Sequence, residues 1–180
     1  MIESVRRRFA LRDLRAAVAH RSPRPLPPDP RDRTLLLVLP EGEGEQRAAW
    51  ALVSTLAMSE RHVIPVFVGE TMPYAPDRFA GAVRLIGPSE LDWRRLPNEA
   101  ARQSVWTQRP DVVLNLTEPQ ALGPALLVGA SAAGLRIGRH APDHEACYDL
   151  MIQGADDAIE AAAVLGRLLR QLDPPVLPVE

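Results

Sequence analysis

The stretch DVVLNLTEPQALGPALLVGASAAGLRIGRHAPDHEACYDLMI, residues 111–152, decides the fold. It reads as an apolar strand, a loop, a helix of small residues, a second strand, a polar loop and a third apolar run. Pro124 is expected in the first turn of the helix, where its missing N–H is not needed, and Gly134 is expected to end the helix. Strands that are apolar on both faces and alternate with helices are typical of a parallel sheet. The stretch therefore predicts the centre of an α/β fold.

The residues before this stretch continue the alternation of strands and helices. Pro65 predicts a short or edge strand, because proline cannot donate to a sheet ladder. Trp93 and its apolar neighbours Leu91 and Leu96 are expected to pack inward. Strands are predicted at 34–39, 63–68, 83–86, 112–116, 135–138 and 148–152, and helices at 46–61, 98–109, 123–133 and 157–172. We predict a single Rossmann-like, three-layer α/β domain over residues 34–173, with a mostly parallel sheet of five to six strands.

A basic segment precedes this domain. Residues 1–33 hold nine Arg and four acidic residues, a net charge of +5, whereas the rest of the chain holds 12 Arg and 19 acidic residues, a net charge of −7. Residues 1–20 contain no Gly or Pro and predict a basic helical arm. Residues 21–33 contain five prolines and predict an extended, stiff linker. Residues 174–180 are predicted to be a Pro-rich tail.

The predicted N-terminal helix has two apolar stripes on nearly opposite sides. The stripes are Ile2, Val5 and Phe9 on one side and Leu11, Leu14 and Val18 on the other. Two stripes indicate a broken helix, or a helix that touches two surfaces. The arginines between the stripes would contact an acidic protein surface or an RNA, or they would form a solvated basic face. The candidates for partner binding are Arg6, Arg7, Arg8, Phe9, Arg12 and Arg15.

Composition excludes several activities and sets the expected compartment. The chain has no Lys, which excludes a Schiff-base lysine and the lysine of a P-loop. Its one cysteine, Cys147, excludes an internal disulfide and favours a reducing compartment. No apolar run approaches the roughly 20 residues of a membrane helix, and the N-terminus lacks the apolar core of a secretory signal. We therefore predict a cytoplasmic protein.

The loop after the first strand does not predict a phosphate site. It reads PEGEGE at residues 40–45, and its three carboxylates would occupy the field in which a phosphate binds at a helix N-terminus. Its glycine spacing matches neither GxGxxG nor the P-loop. These acids are expected to favour the start of the helix. A carboxylate such as Glu43 acting as general base is the alternative.

Polar residues near the ends of the central strands are the best-placed candidates for a ligand site. In open α/β sheets, ligands bind outside the carboxyl ends of the strands. Asp149 interrupts the last apolar run, and we predict that it pairs with Arg139. In a ligand site, Arg139 would anchor an anion. The alternative is that these residues only cap helices and bond loop backbone. The ligand-binding candidates are Glu43, Asn115, Thr117, Glu118, Arg139 and Asp149.

The polar loop at 139–147 does not predict a metal centre. His140, Asp143, His144 and Cys147 lie in it, but their spacing matches no common zinc pattern. An exposed loop is the alternative interpretation. We expect no metal, no cofactor and no catalytic constellation in this chain.

Two parts of the sequence carry a resemblance. Asp-Val-Val-Leu-Asn-Leu at 111–116, followed by Gly-Leu-Arg-Ile-Gly-Arg at 134–139, resembles the N-terminal half of heptosyltransferase-type glycosyltransferases. Residues 133–138 and Tyr148–Ile152 more closely resemble an uncharacterised bacterial family, common in Bacteroidota, that ends in Tyr/Asn-Asp-Leu-Met-Ile and has Lys where this chain has Arg136 and Arg139. The resemblance implies a Rossmann-like fold over roughly 34–172. It implies little about function, because those glycosyltransferases bind the sugar nucleotide mainly in a second domain, which does not follow here.

We predict a non-enzymatic interaction module that docks on a protein or ribonucleoprotein partner through the basic N-terminal helix. The alternative is an enzyme or ligand-binding domain of glycosyltransferase-like descent, which would act on a sugar or nucleotide at the strand ends. Phosphate binding by the arginines would weaken with salt. Phe9 is the only aromatic residue of the arm, so stacking on bases is not indicated.

Overall fold

Apolar segments and amphipathic helices alternate in the computed structural model, which describes residues 2–59, 61–72, 74–79, 81–155 and 157–171. The strands are β1 (Leu35–Val38), β2 (Val63–Val68), β3 (Arg84–Ile86), β4 (Val112–Asn115), β5 (Leu135–Arg139) and β6 (Leu150–Ile152). The helices are α1 (Ile2–Ala19), α2 (Glu43–Met58), α3 (Glu99–Trp106), α4 (Leu122–Gly129) and α5 (Ala158–Gln171). The predicted tail at 174–180 and the predicted helix end at Leu172 lie outside the described residues.

The strands form one sheet in the order β3-β2-β1-β4-β5-β6, and every pairing in it is parallel. This is the strand order of the doubly wound Rossmann fold. The first three strands extend to one side of the sheet and the next three to the other, so that β1 and β4 are neighbours at the centre. The prediction of a Rossmann-like α/β domain is confirmed, with six strands. The carboxyl ends of β1 and β4 therefore flank the switch point where such folds bind ligands.

Two apolar cores cover the two faces of the sheet. In β1, Leu35 and Leu37 point to one face and Leu36 and Val38 to the other, as the two-residue period of a strand requires. The helices α2 and α5 close the first face, and α1, α3 and α4 contribute to the core of the second. This burial on both faces explains why the strands carry continuous apolar runs.

The prediction that Pro65 marks a short or edge strand is wrong, because β2 lies between β1 and β3. Odd-numbered positions of β2 direct their N–H groups toward β3, as the bond from Gly69 to the Ile86 oxygen shows. The pairing with β3 begins only at Val66, opposite Arg84. The missing N–H of Pro65 therefore faces a side where no ladder has yet formed.

Helix α1 and the Pro-rich segment both pack on the domain. Helix α1 is unbroken, and Ala10, Leu14 and Val18 are buried in the core that it shares with α4. The segment that follows is held at the amino edge of the sheet, where the Arg24 guanidinium donates to the Pro110 oxygen over 2.6 Å. Leu14 and Val18 of one apolar stripe are thus buried and Leu11 is partly buried, while Val5 of the other stripe stays exposed.

The small residues of α4 permit close packing against neighbouring elements. A Cβ at Gly129 would lie 2.9 Å from both Val18 and Cys147, so the close approach is to α1 and the 3-10 turn at Pro142–Cys147 rather than to the sheet. The helix ends at Gly129, four residues earlier than predicted. No helix within the described residues is long and apolar enough to cross a membrane.

Candidate functional site

The polar residues at the end of β4 bond to one another. Asn115 is buried, and its amide donates to the Tyr148 hydroxyl over 2.7 Å. Its carbonyl oxygen accepts from the Thr117 hydroxyl at 2.8 Å and the Thr117 N–H at 3.1 Å. Glu118 follows on the surface. The strand end is thus fixed by its own side chains, which corresponds to the structural alternative for Asn115 and Thr117.

The remaining ligand candidates lie apart from each other. Glu43 is exposed in the first turn of α2, where it pairs with Arg47 at 2.6 Å. Arg139 ends β5 and donates to the Ala155 oxygen at 3.4 Å. The predicted pair of Arg139 with Asp149 is wrong. The carboxylate of Asp149 binds Arg136, which projects from the opposite face of β5 because it lies three residues away on a strand.

Arg136, which is buried, forms an ion pair with the partly exposed carboxylate of Asp149 between β5 and the start of β6. The Arg136 side chain is 1% exposed and donates to the two carboxylate oxygens at 2.8 and 2.7 Å. Arg21, which follows α1, approaches the same carboxylate at 3.7 Å. Burial acts to raise the pKa of Asp149, but the hydrogen bonds from Arg136 outweigh it, so that the pKa lies below the ordinary value of 3.8. The pair ties β5, β6 and the end of α1 together.

Gly138 leaves room on β5 for the side chain of Tyr148. A Cβ at Gly138 would clash with the ring of Tyr148, which packs directly on β5. Burial raises the pKa of the Tyr148 hydroxyl, which keeps it protonated. The two segments that carry the family resemblance, around Arg136–Gly138 and around Tyr148–Asp149, therefore contact each other directly, and only the Asp149 carboxylate is partly exposed.

The 3-10 turn at 142–147 buries two of its polar side chains, so it is not simply an exposed loop. Burial raises the pKa of the Cys147 thiol to about 11, which disfavours the reactive thiolate at neutral pH. His144 is buried near Pro119, and burial, together with the charge of Arg7, lowers its pKa. Among the residues that the structure describes, no group of three or more His, Cys, Asp or Glu side chains is arranged to hold a metal ion.

The acidic loop after β1 has a role that the sequence did not indicate. The Glu45 carboxylate accepts from the N–H of Ala158 at 3.0 Å, which places it at the N-terminus of α5. Charge and hydrogen bonding both favour a carboxylate there. Glu45 therefore joins α2 to α5 across their shared face.

A cleft opens at the carboxyl edge of the sheet, beside the switch point. Its volume is about 720 Å³. Its lining includes Phe67 and Val68 at the end of β2, together with Glu41 and Arg95. The backbone of Arg95 has φ 61°, an uncommon conformation for a residue with a side chain. Neither Asn115 nor Thr117 is among the lining residues described, so the cleft and the predicted ligand residues are separate.

A second feature is the exposed side of α1, which we call the α1 outer surface. Arg8, Arg12 and Arg15 are exposed on it, and Phe9 is 40% exposed. The Phe9 ring meets the ring of Trp93, which is 64% exposed, with their centroids 6.1 Å apart at 64°. The α1 outer surface consists of Val5, Arg8, Phe9, Arg12, Arg15 and Trp93.

The six partner-binding candidates on α1 do not all face outward. Arg7 donates to Gln120 at 2.8 Å and to Asp143 at 3.1 Å, so it holds α1 to the domain. Arg6 pairs with Glu3 on its own helix. Arg8 and Arg15 form no ion pair with any described residue. These two, with Arg12 and Phe9, remain available to a partner.

Trp93 was missed by sequence reasoning, which expected it to pack inward. Leu96 of the same loop is buried, as expected. Trp93 is turned outward because the loop around it is fixed by polar bonds: the Asp92 carboxylate accepts from the N–H groups of Arg94 at 2.8 Å and Leu96 at 3.1 Å. The D-x-R spacing was the available signal, since an Asp often bonds backbone two residues further on.

Comparison with known proteins places the chain in a family but adds no activity. No curated protein and no solved structure matches it. A family model, described as a family of unknown function (DUF6913), matches residues 76–171. The matched region is more than half of the chain, and it contains Trp93 and the network of Arg136, Tyr148 and Asp149. The chain therefore belongs to the DUF6913 family.

Proposed function

We propose that the chain is a non-enzymatic interaction module that docks on a protein or ribonucleoprotein partner through the α1 outer surface. The observation that carries this proposal is the exposed pair of Phe9 and Trp93 beside a row of arginines. Exposed aromatic and Arg side chains at one place are typical of interaction hot spots. The partner would bury the rings and neutralise the arginines.

The chemistry of the strand ends supports a non-enzymatic role. The side chains of Asn115 and Thr117 form hydrogen bonds with each other, and Asn115 also bonds Tyr148. The raised pKa of Cys147 disfavours it as a nucleophile. The buried thiol also fits the cytoplasmic, reducing compartment that forms part of this proposal.

Charge reversal on α1 tests the proposal. The variant R8E/R12E/R15E changes only exposed side chains, so the domain should fold as before. We expect it to lose the proteins that the full chain captures from a native lysate of its source, as measured by quantitative mass spectrometry. The matched control is R47E/R109E/R167E, which has the same net charge but is altered at exposed positions outside α1. Equal capture by both variants and the wild type would refute the proposal.

Nuclease treatment and salt titration separate the two partner classes. A ribonucleoprotein partner held by phosphate contacts should be lost after ribonuclease treatment and should weaken steeply with salt. A protein partner should survive ribonuclease. Deletion of residues 1–33 is a poor test, because it would uncover the core surface beneath Leu14 and Val18.

The cleft supports a second candidate function. A ligand-binding domain of glycosyltransferase-like descent would hold a sugar or nucleotide there, since open α/β sheets bind ligands at the switch point. Glu41 and Glu70 would repel phosphates, which favours a neutral sugar over a nucleotide. Thermal-shift measurements with free sugars and sugar nucleotides test it. We expect a shift that is lost in Arg95→Ala, and no shift with any of them would remove this candidate.

A further inference from the structure

We propose that the α1 outer surface recognises an acidic peptide segment that carries apolar anchor side chains. This inference rests on the proposed function and names the chemistry of the partner at the same surface. It depends on three features of that surface: exposed rings, exposed arginines of which Arg8 and Arg15 have no acidic partner among the described residues, and an ion pair that joins the Trp93 loop to α1.

The exposed rings supply the contact for an apolar anchor. Trp93 presents most of its indole to solvent, and Phe9 lies at its edge. Val5, one helical turn before Phe9, is 46% exposed. A contiguous apolar patch on a soluble protein marks an interaction site more often than isolated apolar residues do. A Leu, Ile or aromatic side chain of the partner would cover this patch.

The arginines determine the charge that the partner must carry. Arg8, Arg12 and Arg15 recur at helical spacing along one side of α1, where a groove of about 420 Å³ also includes Leu11. Arg8 and Arg15 have no acidic partner among the described residues, and Arg12 only approaches Asp13 at 3.5 Å. Carboxylates placed beside the apolar anchor would pair with this row and raise the rate of association.

The aromatic environment favours a peptide over a nucleic acid. A nucleic acid would need free ring faces on which bases could stack. The guanidinium of Arg12 already lies over the Phe9 ring at 5.1 Å, and that of Arg94 lies over the Trp93 ring at 5.7 Å. Beyond residues 1–33 the chain has a net charge of −7, which would repel a phosphate backbone that continued past α1. A short acidic peptide meets only the basic row.

The Trp93 loop and α1 are joined by an ion pair in the free protein. Arg94 bonds Asp92 of its own loop at 2.6 Å and also pairs with Asp13 of α1. This bridge fixes the Trp93 loop to the helix. A preorganised surface loses less conformational entropy on binding, so a short peptide segment is enough to be recognised.

Selection from a displayed library of random peptides of about twelve residues tests this inference on the full chain. We expect enriched peptides to be net acidic and to contain at least one Leu, Ile or aromatic residue. Synthetic copies should bind Trp93→Ala at least about tenfold more weakly than the wild type, as measured by fluorescence anisotropy. The matched control is Met58→Ala, which removes a side chain that is 74% exposed on α2 and should leave binding unchanged.

Several results would overturn the inference. They are no enrichment, enrichment of neutral or basic peptides, and equal binding to wild type and Trp93→Ala. An oligouridylate of about fifteen nucleotides that bound more tightly than the best peptide would assign the surface to RNA instead. The proposed function fails separately, when R8E/R12E/R15E keeps every captured partner. If that variant loses its partners and Trp93→Ala keeps them, only the peptide inference fails.

Discussion

Arginine and aromatic side chains occur together in two regions of this molecule, with opposite environments. Beneath β5 and β6, Arg136 is fully buried against Asp149, and Tyr148 bonds Asn115. On the α1 outer surface, Arg8 has no acidic partner among the described residues and Trp93 faces solvent. The first region uses its polar groups to hold the fold, whereas the second leaves them accessible. The environment of these side chains, and not their residue type, therefore separates a structural cluster from a candidate site.

The largest expected effect is the loss of the carboxylate that pairs with buried Arg136. Asp149→Ala leaves the Arg136 charge buried without its partner, and removing one member of such a pair destabilises by about 3 kcal/mol. Urea unfolding followed by circular dichroism measures the change. Asp143→Ala, which breaks only the half-exposed pair with Arg7, should lose less than about 1 kcal/mol. Similar losses in both variants would contradict the structural role of the Arg136 pair.

Crowding of the Tyr148 ring should have the next largest effect. Gly138→Ala places a methyl group against that buried ring, and overpacking of this kind costs about 2 kcal/mol. Gly87→Ala is the control, because a Cβ there meets no atom within 4 Å and the backbone has an ordinary φ of −86°. Thermal unfolding should show a clear decrease in Tm for the first variant only. An unchanged Tm for Gly138→Ala would mean that Tyr148 can move aside at little cost.

Acid should weaken the same region. The pKa of Asp149 is lowered in the folded protein, since the Arg136 bonds outweigh burial. Its contribution to the unfolding free energy is therefore complete above the unfolded pKa of about 3.9 and is lost as the pH falls through the lower folded pKa. One such group changes the free energy of unfolding by at most about 1.4 kcal/mol per pH unit. Asp149→Ala should show a shallower loss of stability below pH 4 than the wild type, and parallel pH profiles would contradict this assignment.

A smaller effect is expected from removal of one buried hydroxyl. Tyr148→Phe leaves the Asn115 amide without its acceptor at 2.7 Å, which should cost about 1 kcal/mol in urea unfolding. Tyr74→Phe is a suitable control, because the bonds in which Tyr74 takes part use its backbone. If both variants are equally stable, the Asn115 bond contributes nothing to the fold.

The smallest effect on stability should come from the α1 outer surface. Trp93→Ala removes a mostly exposed ring and should change the unfolding free energy by less than about 0.5 kcal/mol. Trp106→Ala removes a partly buried ring that packs on the core and donates to the Leu127 oxygen at 3.1 Å, so it should cost about 2 kcal/mol or more. Equal losses would show that Trp93 supports the fold, and the contrast between the two regions would then disappear.

The sequence predicted the layers of this fold better than its surface. Apolar strands such as Leu35–Val38 and the helix signal at Pro124 were sufficient, because local chemistry sets them. Which side chains pair across neighbouring strands could not be predicted from the local sequence. Arg139 and Arg136 are both close to Asp149 in sequence, and only the strand period decides between them.

The exposure of Trp93 and the position of α1 needed the tertiary structure. A Trp in a loop usually packs inward, and here the Asp92 bonds and the Asp13–Arg94 bridge turn it outward. The two apolar stripes of α1 were visible in the sequence, but which of them would be buried depends on the small residues of α4 that accept Val18. Residues far apart in the chain thus build the candidate site.

Hydroxyl-radical footprinting with a bound partner or selected peptide shows directly whether the α1 outer surface is the docking site. We expect oxidation of Trp93 and Phe9 to slow several-fold on binding. Met58, exposed on α2, should keep its rate, and Trp50, which is buried, should stay unreactive in both states. Unchanged oxidation of Trp93 in a saturated complex, with protection elsewhere on the molecule, would contradict the assignment of the α1 outer surface as the docking site.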